Sequence, residues 1–194
     1  MASNENSKIF ILCGFSSSGK DSLLEALSIN LNINPLISCT SRPKRDNEED
    51  GREYNFVSKD EFISMINSDE VIEYRAYDTL VDGIEDKWYY GTSKKGIDDQ
   101  RDNIVVLDSK GATAMKKIYG DKAIVIYIDV EDEERERRAK KRGSFNQIEW
   151  DRRLKDDNKI FNSGVIDTFE HIVENEVFNN TLEAVGKIIY SYKG

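Results

Sequence analysis

The segment ILCGFSSSGKDSLLEAL, residues 11–27, constrains the fold more than any other part of the sequence. It opens with a continuous apolar run ending at Cys13, which predicts a strand buried on both faces, as in a parallel sheet. After a loop of small residues, Leu23, Leu27 and Leu31 recur on one helical face. The order of strand, small-residue loop and amphipathic helix is typical of a loop that binds phosphate.

The loop itself carries the pattern G-x4-G-K from Gly14 to Lys20. Its glycines let successive backbone N–H groups point at an anion, and the start of the helix adds the positive end of its dipole. Lys20 would place its charge on the β- and γ-phosphates of ATP. The candidate ATP-binding residues of this segment are Gly14, Ser16, Ser17, Ser18, Gly19, Lys20, Asp21 and Ser22.

Asp21 departs from the usual pattern, in which a Ser or Thr hydroxyl follows the lysine and ligates Mg²⁺. A carboxylate is a stronger ligand for this hard cation, but it also repels phosphate. Ser22 is a poor substitute, because the next residue of a helix points about 100° away. Asp21 therefore either holds Mg²⁺, directly or through water, or weakens ATP binding. We favour Asp21 as the ligand of a Mg²⁺ cofactor.

Strands and helices alternate along most of the chain. Apolar, β-rich runs at 103–108 and 122–130 flank a helical segment, and 169–175 predicts a last strand. This alternation predicts a three-layer α/β fold with a parallel sheet. Residues 38–92 interrupt it and predict a small β-rich insertion, whereas 131–157 predicts a charged helical stretch broken near a glycine.

Composition limits the partners and the compartment. The net charge of −9 argues against nucleic acids and anionic membranes as partners, so positive charge for an anionic ligand must be supplied locally. Two cysteines do not make a disulfide framework. The polar N-terminus and the lack of an apolar run approaching ~20 residues predict a cytoplasmic protein without a membrane span.

A second motif, TSRPKRDNEEDGREYNF, occupies residues 40–56. Arg42, Arg45 and Tyr54 can converge on one phosphate, which two guanidinium forks and a hydroxyl would bind. The alternative is a solvated basic loop, because acidic residues are interspersed with the arginines.

The second motif and the phosphate loop together resemble the signature of the guanylate kinase family, with T-S-R, a basic residue, an acidic residue and G-x-x-Y-x-F in register. The resemblance covers essentially the whole chain. It implies a P-loop NTPase fold in one domain, 1–194, whose core is formed by 1–37, 93–137 and 156–194, with an NMP-binding insertion at 38–92 and a helical lid at 138–155.

The resemblance also implies how GMP is recognised. A carboxylate facing N1–H and the amino group of guanine, with hydroxyls facing O6 and N7, reads guanine and rejects adenine. The GMP-binding residues implied by the resemblance are Ser38, Arg42, Arg45, Tyr54, Glu73, Tyr90, Thr92 and Asp108.

The arginine-rich segment resembles the lid of the family. The resemblance places Arg138 and Arg142 on the ATP phosphates, Arg153 between the donor and acceptor phosphates, and Asn175 near the adenine. The alternative is an exposed helix with i,i+4 ion pairs such as Glu134 with Arg138. The implied catalytic residues are Lys20, Arg45, Arg138 and Arg153.

The implied reaction is ATP + GMP giving ADP + GDP, with these nucleotides as the partners of a monomer or homodimer. A phosphate monoester has a second pKa of about 6, so the attacking oxygen is already anionic and needs no general base. Catalysis then consists of positioning two anions and neutralising the charge between them.

Departures from the family pattern keep alternatives open. The segment 73–90 is longer than the pattern and predicts an inserted loop beside the base pocket, so the acceptor could be dGMP or another monophosphate. Val106 stands where the family has an acidic residue, and Asp21 could compensate for it. A further alternative is an inactive interaction module. A regulatory GTPase is disfavoured, because the sequence lacks N-K-x-D.

Overall fold

The computed structural model describes residues 7–46, 48–81, 84–141, 143, 145–161 and 163–193. The chain divides into two compact units, which we call the core unit (Met1–Pro35 with Asp99–Gly194) and the β-rich unit (Leu36–Asp98). The strands are β1 (Ile9–Cys13), β2 (Asn34–Pro35), β3 (Cys39–Thr40), β4 (Asn55–Phe56), β5 (Val71–Val81), β6 (Ile84–Ser93), β7 (Asn103–Val106), β8 (Ala123–Asp129) and β9 (His171–Glu174). The helices are α1 (Lys20–Leu31), α2 (Lys59–Asn67), α3 (Ser109–Tyr119), α4 (Asp132–Lys141), α5 (Gln147–Ile160), α6 (Ser163–Ile166) and α7 (Phe178–Ser191).

The core unit contains a five-stranded parallel sheet in the order β2-β7-β1-β8-β9. Ile9 of β1 is paired with Asn103 on one side and Ala123 on the other, so β1 lies in the middle. All five residues of β1 are buried, as its continuous apolar run predicts. The predicted α/β fold with a parallel sheet is confirmed.

One face of this sheet carries the main hydrophobic core. Because side chains alternate along a strand, Phe10 and Leu12 of β1 point to the same face. They pack with Leu23 and Leu27 of α1, as the predicted helical stripe requires. The cluster also contains Ile33, Ile104, Ile124, Ile126, Ile128, Val185 and Ile189, so that α1 and α7 cover this face together.

The opposite face is covered by α3, whose Ala112 and Met115 are buried. Near the carboxyl ends of the strands an aromatic cluster extends this packing: the ring of Tyr127 lies 5.7 Å from that of Phe161 and 6.0 Å from that of Phe169. Helices on both faces make the core unit three-layered.

The β-rich unit corrects one prediction. The long segment after Glu73 is not an inserted loop: β5 and β6 pair continuously from Glu73↔Thr92 to Val81↔Ile84. Aromatic and β-branched residues, which favour extended strands, make up eight of the eighteen residues from 73 to 90. The extra residues therefore lengthen a β-hairpin.

The remaining strands and α2 complete the β-rich unit. Its sheet has the order β4-β3-β6-β5, with β3 antiparallel to β6. Ser58 caps α2 by accepting a hydrogen bond from the backbone N–H of Glu61, whose side chain accepts one from the Ser58 N–H. This reciprocal arrangement is a capping box, and it fixes where α2 begins.

Candidate active site

The phosphate loop connects β1 to α1 at the carboxyl edge of the parallel sheet, where ligands of such sheets bind. Position 14 requires glycine for steric reasons, because a Cβ there would lie 2.5 Å from the carbonyl oxygen of Ile128. Ser17 and Gly19 have positive φ angles of 64° and 91°, which turn the backbone into α1. Gly19 has no side chain with which to cap α1, and the first N–H groups of a helix favour an anion.

Lys20, the first residue of α1, folds back onto the loop. Its ammonium donates hydrogen bonds to the carbonyl oxygen of Phe15 at 2.8 Å and to Ser18 Oγ at 3.2 Å. Burial lowers the pKa of Lys20 below its ordinary value, and the carboxylates of Asp21 and Asp157 oppose this shift. The ammonium group of the predicted phosphate-binding lysine therefore lies against the loop.

Two further predicted ATP residues meet the loop. The side-chain amide of Asn175 donates to the carbonyl oxygen of Ser18 at 2.7 Å. Arg138 donates from Nη2 to the carbonyl oxygen of Asn175 at 2.5 Å and from Nε to Glu134 at 2.7 Å. The structure thus brings Arg138 and Asn175 together beside the phosphate loop.

A cavity of about 370 Å³ opens where α1, α4 and the end of β9 meet. Glu134 lines it between Arg137 and Arg138, whose hydrogen bonds lower the pKa of this carboxyl to about 2. The other lining residues are Gly19, Ser22, Lys141, Asn175, Glu176 and Phe178. The cavity is therefore charged, with an aromatic side chain at its wall.

The remaining predicted residues of the core unit differ in placement. Asp108 follows β7 and caps α3 by accepting a hydrogen bond from the Gly111 N–H at 2.7 Å. Arg153 lies on the exposed side of α5, and Arg142 lies outside the described residues. Sequence reasoning missed Asp157, which touches the phosphate loop but carries no signal among the many charges of its segment.

Asp21 lies exposed in the first turn of α1, next to Lys20. In the part of the chain that the structure describes, no three His, Cys, Asp or Glu residues cluster as a metal site. Mg²⁺ commonly takes one or two carboxylates and completes its shell with phosphate oxygens and water. A single exposed carboxylate beside the phosphate loop fits that mode of binding.

In the β-rich unit, Arg42 is buried and held by Glu48. The two make a fork-to-fork pair, with Nη2–Oε1 and Nη1–Oε2 distances of 2.8 and 2.9 Å. The hydrogen bonds from Arg42 lower the pKa of Glu48 to about 2, and Glu48 raises the pKa of Arg42. The acidic residue of the sequence signature therefore orients its arginine.

Tyrosines gather around this pair. The guanidinium of Arg42 lies 5.6 Å from the ring centre of Tyr54, and the Tyr54 and Tyr90 rings lie 5.8 Å apart. Arg45 donates its backbone N–H to Glu48 at 2.9 Å, while its side chain is exposed. Two of the three predicted phosphate-binding residues, Arg42 and Tyr54, thus lie together with Tyr90, and the third, Arg45, is tied to them through its backbone.

The residues predicted to read guanine lie on β5 and β6 and before β3. Thr92 donates its hydroxyl to Glu73 at 2.9 Å, and the two residues are paired across the hairpin. Ser38 directly precedes β3, and its carbonyl oxygen accepts the Asn55 N–H. Sequence reasoning missed Arg75, whose Nη1 lies 3.4 Å from Glu73 Oε2. The sequence signal for Arg75 is its spacing of two residues from Glu73, which puts both side chains on one face of β5.

Sequence comparison assigns this arrangement to a family. The sequence profile described as guanylate kinase matches residues 6–192. The chain belongs to the guanylate kinase family. It is 30% identical over 195 residues to a guanylate kinase of Mycoplasma genitalium, covering 97% of this chain and 77% of the relative. A guanylate kinase of Porphyromonas gingivalis is 37% identical over 144 residues, covering 71% and 73%.

The fold agrees with a solved guanylate kinase. The crystal structure of guanylate kinase from Anaplasma phagocytophilum superposes with a TM-score of 0.64 at 23% sequence identity, covering 95% of this chain and 85% of that one. The family, the fold class and the kinase function predicted from the sequence are confirmed. No helix in the described ranges is both long and apolar enough to cross a membrane.

Proposed function

We propose that the protein transfers the γ-phosphoryl group of ATP to GMP, giving ADP and GDP, with the residues named above as the site. The observation that carries this assignment is the phosphate loop, onto which Lys20 folds back and to which Asn175 donates a hydrogen bond at Ser18, while Arg138 donates to the carbonyl oxygen of Asn175 beside the loop. Family membership supports the reaction. The proposed site therefore combines an anion-binding loop with an arginine of the lid segment.

The donor is proposed to bind with its phosphates on the loop and its adenosine in the neighbouring cavity. The cavity volume of about 370 Å³ suits a nucleoside, and Phe178 at its wall offers an apolar ring to a base. Arg138, between the cavity and the loop, would meet the phosphates. Asn175 is 1% exposed, so we assign it to bracing the loop beside the adenine.

The acceptor is proposed to bind to the β-rich unit. The carboxylate of Glu73 can accept hydrogen bonds from N1–H and the amino group of guanine, and Thr92 orients that carboxylate. Arg42, fixed by Glu48, and the tyrosine hydroxyls can bind the 5′-phosphate. Ser38 and Asp108 complete the proposed set of guanine contacts.

The chemistry requires positioning more than proton transfer. A GMP phosphate oxygen is already anionic at neutral pH, so no side chain needs to remove a proton. Lys20, Arg45, Arg138 and Arg153 would neutralise the charge that accumulates between the nucleotides. When bound, Mg²⁺ would be held by Asp21 and would neutralise oxygens of the β- and γ-phosphates.

We assign 38–92 to the NMP-binding insertion, 138–155 to the lid, and the rest of the chain to the core. A net charge of −9 supports free nucleotides, rather than nucleic acid or membranes, as ligands. We propose that the protein works in the cytoplasm as a monomer or homodimer.

A coupled ADP-release assay with a panel of monophosphates tests the function. We expect GMP to be the best acceptor, and Lys20→Met to lose at least about 100-fold in kcat because charge stabilisation at the phosphates is lost. The matched control is Lys187→Met, since Lys187 lies exposed on α7. ADP release that does not depend on any monophosphate would contradict the proposal.

A second candidate acceptor is dGMP or another monophosphate. Two features favour this candidate: Arg75 lies beside Glu73, and the β5–β6 hairpin is lengthened. Both alter the surroundings of the proposed base site. The same panel decides: a kcat/KM for another monophosphate above that for GMP would select this candidate.

The Mg²⁺ assignment has its own test. Asp21→Ser, assayed over a Mg²⁺ titration, should shift the Mg²⁺ concentration needed for half-maximal rate. Glu25→Gln, one turn further along α1, serves as the control. An unchanged Mg²⁺ requirement in the Asp21 variant would show that Asp21 is not a ligand.

A further inference from the structure

Ser16, in the phosphate loop, is bound through both of its backbone polar groups. Its N–H donates to Asp157 Oδ2 at 2.6 Å, and its carbonyl oxygen accepts from Arg135 Nη1 at 3.5 Å. Arg135 belongs to α4 and Asp157 to α5. One loop residue therefore joins two helices, through an arginine on α4 and an aspartate on α5.

Arg135 is a fully buried cation at the base of the loop. Its exposed fraction is 0%, and its guanidinium lies 4.4 Å from the ring centre of Phe15 and 5.8 Å from that of Trp150. It also donates hydrogen bonds to the carbonyl oxygen of Val130 and to Asp132. A buried charge is tolerated only with such partners, and these fix α4 against the loop.

Asp157 makes the corresponding anchor on α5. Its contact with Ser16 is a charge-assisted hydrogen bond, the stronger kind. Its backbone carbonyl accepts the Phe161 N–H at 2.7 Å, and the Phe161 ring lies 5.6 Å from that of Phe15. The end of α5 is thus packed and hydrogen-bonded onto the same two loop residues that Arg135 contacts.

The spacing of these anchors connects them to the arginines of the proposed function. Arg138 lies three residues after Arg135 on α4, and Arg153 lies four residues before Asp157 on α5. Residues three or four apart share one face of a helix. Each anchor is therefore one turn from an arginine proposed to bind the transferring phosphate.

We propose that Arg135 and Asp157 are positioning residues, which fix Arg138 and Arg153 relative to the phosphate loop through the two peptide groups of Ser16. The inference rests on the proposed function for the roles of those two arginines. It assigns no chemical step to Arg135 or Asp157. A displacement of about 1 Å at a transfer site can cost 100-fold in rate, so such anchors matter.

The test uses Asp157→Ala, which removes the acceptor, and Asp157→Asn, which keeps a neutral acceptor. The matched control is Asp156→Ala: Asp156 is adjacent on α5, and its carboxylate accepts a hydrogen bond from Arg152 at the surface. For each full-length variant, kcat and both KM values are measured with ATP and GMP. The thermal midpoint and the hydrogen exchange of the Ser16 amide are measured as well.

We expect Asp157→Ala to lower kcat about 10- to 100-fold with an unchanged KM for GMP. Its Ser16 amide should exchange about tenfold faster, because the carboxylate hydrogen bond is lost. Asp157→Asn should recover part of both losses, and Asp156→Ala should match the wild type. A thermal midpoint that stays near the wild-type value separates positioning from unfolding. If Asp157→Ala does not fold, Asp157→Asn carries the comparison.

Two results would overturn the inference: equal Ser16 exchange in Asp157→Ala and wild type, or a kcat/KM for ATP that rises in Asp157→Ala. The second would mean that the carboxylate opposes the polyphosphate. A wild type without GMP-dependent ADP release would instead count against the proposed function. The amide exchange needs no activity and would still decide whether Asp157 anchors the loop.

Discussion

The side-chain amide of Asn175 donates a hydrogen bond to the carbonyl oxygen of Ser18 at 2.7 Å, across 157 positions of sequence. Both residues are buried, and the Asn175 Oδ1 in turn accepts the Thr181 hydroxyl at 3.0 Å. The end of the last strand therefore closes over the phosphate loop. A Cβ at Gly19 would lie 2.7 Å from this amide, so the contact also explains why the loop needs glycine there.

Asn175→Ala should raise the KM for ATP and leave the KM for GMP unchanged, because it removes the brace of the phosphate loop. It should also lower the free energy of unfolding by about 1–3 kcal/mol, since the buried carbonyl of Ser18 loses its partner. Steady-state kinetics and urea unfolding measure both effects. The control is Asn180→Ala, on the exposed side of α7. Equal changes in both KM values would argue against a role confined to the donor side.

The lowered pKa of Lys20 predicts an alkaline limit to ATP capture. Because burial lowers this pKa, Lys20 loses its proton at a lower pH than an ordinary lysine of 10.5. The kcat/KM for ATP reports the titration of the free enzyme. As the pH rises, it should therefore begin to decrease before the pH reaches 10.5. The Lys20→Arg variant should not show this alkaline decrease in kcat/KM, since a guanidinium stays protonated, whereas Lys187→Arg should still show it. An unchanged profile in Lys20→Arg would disprove the assignment.

Gly91 of β6 should not tolerate a side chain. A Cβ there would lie 2.5 Å from the carbonyl oxygen of Glu73 and 2.9 Å from the Cβ of Tyr74. Gly91→Ala should therefore destabilise the protein by about 3 kcal/mol and weaken GMP binding through Glu73. Gly186→Ala is the control, since nothing lies within 4 Å of its added Cβ, and it should stabilise α7 by about 0.5–1 kcal/mol. Urea unfolding and a GMP titration decide.

The pair of Arg42 and Glu48 predicts how stability depends on acid. The pKa of Glu48 is lowered to about 2 in the folded protein, against an ordinary value of 4.5. As the pH falls, the unfolded chain takes up this proton first, so stability present above pH 4.5 is lost toward pH 2. The free energy of unfolding, measured with urea, should decrease less across that window in Glu48→Gln than in the wild type. The control Glu25→Gln should not show this smaller decrease. Parallel curves for Glu48→Gln and wild type would contradict the prediction.

The sequence by itself determined the local elements. The spacing of Leu23 and Leu27 predicted α1, and the apolar runs predicted the central strands, while the capping box of Ser58 and Glu61 is itself a pattern of neighbouring residues. These signals are local, because helix periodicity, caps and strand burial depend on residues a few positions apart. The motif G-x4-G-K likewise indicated the phosphate loop before its geometry was seen.

Only the tertiary structure decided which side chains meet. It turned the long segment after Glu73 into a paired hairpin, joined Asn175 to Ser18, and brought Asp157 onto Ser16. Such meetings depend on strand order and on how helices cross a sheet. A charged residue such as Asp157 has the same local sequence signal whether it faces water or a loop 141 positions away.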